Sequence, residues 1–211
     1  MLGKKFRPFV LPSIYVLLVV LFALFGFLLN ESLKVVENKD DNNLTYVSYE
    51  VLIDYAIPTI NENDNTIIRP YNDEKVTIGK YYYDLNDEKT QENAIIYYEN
   101  TYMQNTGVDY VKEDTFKVVS ILSGEVISVT DNDIVGKTVK VRHNDKLISI
   151  YQSLGEVAVK EHDKIKQGDV IGTSGTNEIN SELKNHLHFE LVINGVYVNP
   201  EKYYTKTVGE F

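Results

Sequence analysis

The residues best placed to do chemistry are His186 and His188, in the run His186-Leu-His188-Phe-Glu190. Along an extended strand, residues two apart point to the same face. Two imidazoles on one face can share a metal-centred site, because neutral imidazole is a good ligand for zinc and related metals. The pair is equally at home as two histidines on a polar sheet face, so the spacing alone does not decide. The other two histidines stand in surface-like settings. His143 ends a predicted strand beside a turn, and His162 lies within Glu161-His162-Asp163-Lys164. The chain has no cysteine, which excludes disulfides and thiolate metal sites.

The segments that would position these residues read as strands. Residues 76–83 and 94–102 are rich in β-branched and aromatic side chains, and the polar stretch 86–93 between them suits a long hairpin loop. Residues 116–122 and 125–130 flank Ser123-Gly124, and residues 137–143 and 146–151 flank Asn144-Asp145, each a two-residue turn signal. Residues 186–193 and 196–198 flank a third, Asn194-Gly195. Val139, Val141, Leu147, Ser149 and Tyr151 alternate as a half-buried hairpin should. No long stretch outside the N-terminal apolar run has helical periodicity, so the domain is expected to be mainly antiparallel β.

That apolar run, residues 9–29, carries no charge. Its length matches the roughly 20 residues a helix needs to cross a bilayer, and it is longer than a signal-peptide core and lacks a small-residue cleavage site. Lys4, Lys5 and Arg7 precede it, and a basic flank stays in the cytoplasm. The expected order is a cytoplasmic start (1–8), a single transmembrane helix (9–29), a tether rich in Asn and Asp (30–45) and an extracytoplasmic body. Of 21 basic residues three lie in the first 30, so the body holds 18 against 31 acidic residues, a net of −13. Such a body repels nucleic acid and anionic headgroups, which leaves proteins as the expected partners.

Further sequence surrounds the histidines: Gly107-Val-Asp109, Ser123-Gly-Glu-Val126, Lys164-Ile-Lys-Gln-Gly-Asp-Val-Ile-Gly-Thr-Ser-Gly175 and Val198-Asn-Pro200. In this order they resemble the LytM-type domain of the M23 peptidase family over residues 100–205, with 46–99 as the N-terminal part of the ectodomain and 206–211 as a tail. The resemblance implies a compact β fold with a groove. It implies zinc held by a His-x-x-x-Asp pair and the second histidine of His-x-His. The first of those two, with a histidine from a Tyr-x-His motif, acts on substrate and water. Family enzymes cut peptide cross-links in bacterial cell walls.

Carried over by position, the pattern breaks twice. Asn105 stands in the ligand-histidine position of Asn105-Thr-Gly-Val-Asp109, and Ser153 stands in the catalytic position of Tyr151-Gln-Ser153. The vestigial metal set is Asn105, Asp109 and His188; the vestigial catalytic pair is His186 and Ser153. A carboxamide is a poor substitute for an imidazole donor, and two ligands hold zinc weakly. Without the metal nothing lowers the pKa of a bound water, and serine cannot exchange protons near neutrality as histidine does. The expectation is a non-enzyme with no zinc cofactor. In that case Asp109 caps a turn after Gly107, and His186 and His188 hydrogen-bond across the old groove.

Ile68-Arg-Pro70, Tyr97-Tyr-Glu-Asn-Thr-Tyr-Met103 and Tyr151-Gln-Ser-Leu154 further resemble a sporulation branch of the family. The resemblance implies a forespore-membrane protein that binds an ectodomain of the stage III sporulation protein AH type, supplied by the mother cell, during engulfment. It also implies a part in a channel or feeding-tube complex, in which a homo-oligomeric ring is one arrangement. A zinc-dependent cell-wall endopeptidase and an activator of a separate wall amidase stand as alternatives.

Overall fold

Alternation along a few long strands separates an apolar face from a polar one, and that separation organises the fold. The computed structural model describes residues 66–207 and 209. The expected cytoplasmic start, transmembrane helix and tether lie outside the described residues; among those described, no helix is long and apolar enough to cross a membrane.

In chain order the strands are β1 (Thr77–Lys80), β2 (Ile95–Tyr98), β3 (Thr101–Gln104), β4 (Val108–Val111), β5 (Lys117–Val119), β6 (Gly124–Thr130), β7 (Lys137–Arg142), β8 (Leu147–Val157), β9 (Lys164–Ile165), β10 (Val170–Ser174), β11 (His186–Ile193) and β12 (Val196–Val198). A four-residue helix, α1 (Glu88–Gln91), precedes β2. Ten strands form one sheet with the path β1-β4-β11-β8-β7-β6-β9; β10 joins β5 to β8, and β12 flanks β11. Every pairing is antiparallel. The mainly antiparallel β expectation therefore holds.

Val108 and Tyr110 of β4, Leu187, Phe189 and Leu191 of β11, Tyr151 of β8 and Val139 and Val141 of β7 are fully buried in one core. Their alternate neighbours, Asp109, His186, His188 and Glu190, must then face the other way. The start of the described chain is fastened to its end. The Ile67 N–H donates to the Lys206 carbonyl at 3.1 Å, and the Thr205 N–H donates to the Ile67 carbonyl at 3.0 Å. The Arg69 guanidinium makes a two-pronged contact with the Glu201 carboxylate, both arms 2.8 Å.

Two expected hairpins are corrected. Residues 76–83 do not pair with 94–102. β1 pairs with β4, and residues 94–102 are broken by a turn in which Glu99 and Asn100 adopt φ of 46° and 62°. That left-handed pair is the two-residue turn that matches strand twist, and it folds β2 onto β3 as a separate two-stranded sheet. Nor do residues 116–122 fold back on 125–130: β5 pairs with β10, and β6 with β7 and β9. Ile121 and Leu122 are wholly buried, so the chain crosses the core here and the Ser123-Gly124 signal does not close a hairpin. The β7–β8 and β11–β12 hairpins form around Asn144-Asp145 and Asn194-Gly195 as expected.

Candidate functional site

β11 lies between β4 and β8, with His188 opposite Asp109 on one side and Gln152 on the other. Of the sequence-predicted residues, Asn105, Asp109, His186 and His188 come together here, whereas Ser153 makes no hydrogen bond to any of them. His188 Nδ1 is 3.0 Å from Asp109 Oδ1, and His186 Nε2 is 4.0 Å from the same oxygen. Asn105, just past β3, donates through Nδ2 to Asp109 Oδ2 at 2.9 Å and to the Tyr81 carbonyl at 3.0 Å. Gly107 keeps this link close: a Cβ there would collide with the Phe189 carbonyl and crowd His188. Asp109 is thus a wholly buried strand residue that accepts from three side chains, Asn180 being the third at 3.5 Å. The turn-capping expectation for Asp109 is wrong, because the centre of β4 offers it no free backbone N–H to cap.

Ser153 is buried on β8 in the left-handed region at φ 62°, its N–H donating to the Val135 carbonyl at 3.0 Å. Its hydroxyl has no hydrogen-bond partner, and neither has His186 Nε2 or Asn105 Oδ1. His186 bonds locally, Nδ1 to the Lys184 carbonyl at 2.9 Å, so its contact across the site is the long one to Asp109.

The two imidazoles sit in opposite electrostatic settings. Burial pulls His188 down, but the Asp109 and Glu190 carboxylates overcome it and push it up to about 10. Burial pulls His186 below its usual value, more strongly than Asp109 raises it. Burial pushes Glu190 up, and its bond to His188 reverses the sign, leaving it below the ordinary carboxylate range. At neutral pH the polar face therefore holds an imidazolium between two carboxylates and a neutral imidazole beside them. Glu190, 3.3 Å from His188 Nε2, escaped the sequence reading although its i+2 spacing from His188 places it on the same face. Asn180 and the Tyr81 carbonyl arrive from distant segments that carry no local signal.

His143 is not a surface residue. It is wholly buried, Nδ1 donating to the Ser123 carbonyl at 3.0 Å and Nε2 accepting from the Ser149 hydroxyl at 2.8 Å. Both bonds suit the neutral ring, and burial pulls its pKa down to about 4. His162 is largely exposed, as expected, 3.5 Å from Glu125. The buried neutral ring makes a pH prediction. The folded pKa lies below the unfolded value of 6.5, so stability is full above pH 6.5 and falls as pH drops towards 4. The slope should reach about 1.4 kcal/mol per pH unit and the total about 3 kcal/mol. Urea titrations across this window should show the loss, and His143→Leu should flatten most of it; His186, also depressed, keeps a remainder. An equal acid slope in the variant would place the loss elsewhere.

Comparison with known proteins places the domain. The profile of Peptidase family M23 matches residues 103–200. Stage II sporulation protein Q of Bacillus subtilis is 36% identical over 159 residues, 74% of this chain and 56% of that protein. The chain in a solved SpoIIQ–SpoIIIAH pore-forming complex superposes with a TM-score of 0.66 at 37% identity, over 69% of this chain and 94% of that one. The chain belongs to the family of stage II sporulation protein Q, and residues 103–200 carry its match to peptidase family M23. The peptidoglycan DD-endopeptidase ShyC of Vibrio cholerae is 34% identical over 95 residues, 44% of this chain and 21% of that protein. The chain thus spans little more than half the length of the B. subtilis relative, and far less of the endopeptidase.

Proposed function

We propose that this chain is a non-catalytic binding protein of sporulation, held in the forespore membrane by residues 9–29, whose ectodomain engages a SpoIIIAH-type ectodomain across the intermembrane space. The observation that carries the reading is the likeness to nearly the whole SpoIIQ chain of the SpoIIQ–SpoIIIAH complex, at 37% identity. The donor set supports it from the chemical side. Asn105 offers Asp109 an N–H and not a lone pair, and turning the amide over would set its oxygen against the carboxylate. The residues present therefore do not fit the three-ligand zinc centre of the family, and among the described residues no three His, Asp or Glu side chains are arranged to hold a metal. Ser153 leaves the catalytic pair incomplete. In this reading the polar face is a structural network, and binding happens elsewhere.

The full-length chain in detergent, titrated calorimetrically with a purified SpoIIIAH-type ectodomain, is expected to bind saturably, and elemental analysis is expected to find less than stoichiometric zinc. His186→Ala should leave the affinity within twofold, because that side chain is wholly buried. Absence of binding, or one tightly held zinc per chain with cell-wall cleavage, would favour the endopeptidase reading instead.

A further inference from the structure

The β2–β3 hairpin has no part in the polar network described above, apart from the chain it feeds into Asn105. It begins before the residues that match the peptidase family, 103–200. Tyr97 and Tyr102 are directly opposed across it. Alternation puts Ile96, 6% exposed, on the inner face and the two tyrosines on the outer one, where they are 56% and 75% exposed. Their rings pack at 4.8 Å between centroids, forming a double aromatic platform in solvent. Among the described residues no backbone hydrogen bond leaves either strand sideways; the hairpin is held at its base, where Asn105 donates to the Ala94 carbonyl, Tyr81 to the Asn93 carbonyl and Tyr83 to the Asn105 carbonyl. An isolated two-stranded ribbon is marginal in water, and large exposed rings at its centre gain nothing from the core. The flanking charge leans acidic: Asp87, Glu88, Glu92 and Glu99 stand against Lys89, while Asp84 is already paired with Lys202 at 2.6 Å.

We propose that the outer face of this hairpin is the docking surface for the partner ectodomain, and that it takes up a basic segment whose Arg or Lys side chains lie on the Tyr97–Tyr102 platform with the carboxylates around it. The proposal rests on the binding role argued above and adds its location and chemistry. Guanidinium and ammonium groups are attracted to aromatic faces, and a predominantly acidic rim steers and retains a basic partner. The open strand edges offer the segment backbone pairing as well. Tyrosine is among the residue types enriched at the energetic centres of interfaces.

The test titrates the SpoIIIAH-type ectodomain into the full-length chain in detergent and into three variants. Tyr97→Ala/Tyr102→Ala should weaken binding at least tenfold. Tyr97→Phe/Tyr102→Phe, which keeps both rings, should stay within threefold. Glu99→Lys, at the turn, should weaken binding and reduce its dependence on salt. Circular dichroism and thermal melting check that each variant folds; the altered side chains are exposed, so melting temperatures should barely change. Binding by the unaltered chain that survives both the double alanine change and the charge reversal would overturn this assignment while leaving the binding role intact. Failure of the unaltered chain to bind overturns both.

Discussion

Asn105→His should raise zinc affinity at least about 100-fold, beyond what the loss or gain of an outer-shell partner alone produces, while cell-wall cleavage stays at background. The position is right for a ligand. The Asn105 amide already stands 2.9 Å from Asp109 Oδ2, and Asp109 is 3.0 Å from His188. An imidazole there completes a His, Asp, His set with a fourth position open to water, the arrangement of a catalytic zinc site. His188 must give up its proton before it can ligate, so the gain should grow with pH. Catalysis needs more. The Ser153 hydroxyl is not basic near neutrality, and its place is closed: the residue is wholly buried, with the Gly136 backbone packed closely against its own backbone. Restoring that histidine by Ser153→His should therefore cost about 1–3 kcal/mol of overpacking before it contributes anything. Competition against a chromophoric chelator measures the first claim, and dye release from labelled cell wall the second. Unchanged zinc affinity would mean that the metal geometry has gone along with the ligand. Strong cleavage by the single variant would show that Ser153 is not the deficit.

What the sequence disclosed follows the range of the interactions involved. Asn144-Asp145 and Asn194-Gly195 specify their turns with local backbone chemistry, so the β7–β8 and β11–β12 hairpins could be read directly. The face shared by His186 and His188 needs only strand periodicity. The pairing of β1 with β4 and of β5 with β10 joins segments far apart in sequence, and no adjacent pattern encodes it. The turn at Glu99-Asn100 lacks the glycine that usually marks a left-handed pair, so two short strands looked like one. His143 shows the limit best. Polar, next to a turn and ahead of Asn144-Asp145, it has every local mark of a surface residue. Ser123 and Ser149 come from two other segments to satisfy both ring nitrogens, and only that makes burial affordable. The candidate site was legible as a set of residues, through the family's spacing. Its connections were not: how Asn105, Asp109, His188 and Glu190 bond to one another depends on donor directions that only three dimensions supply.

That network makes Asp109→Ala a strongly damaging change, at about 3–5 kcal/mol. The carboxylate accepts from Asn105 and His188 and lies within 3.5 Å of Asn180, in a setting with no solvent exposure of its own. Removing it leaves the buried His188 imidazolium with Glu190 as its remaining carboxylate and the Asn105 amide with only the Tyr81 carbonyl to accept from it, and a buried charge that loses its partner costs far more than the intact pair contributes. The pH dependence separates this from a simple cavity. His188 is raised above its unfolded value of 6.5 to about 10, so its contribution is complete below pH 6.5 and is lost as pH rises towards 10. The unaltered protein should therefore lose stability along that alkaline limb. Asp109→Ala, without the first of the two carboxylates that raise His188, should show a lower stability at pH 6.5 and a much shallower alkaline loss. Urea denaturation at half-unit pH steps from 6.5 to 9.5 resolves both. A variant that falls by the same amount at every pH would show that Asp109 acts there only by filling space, and the ion pair would have to be struck from the account of how this domain holds together.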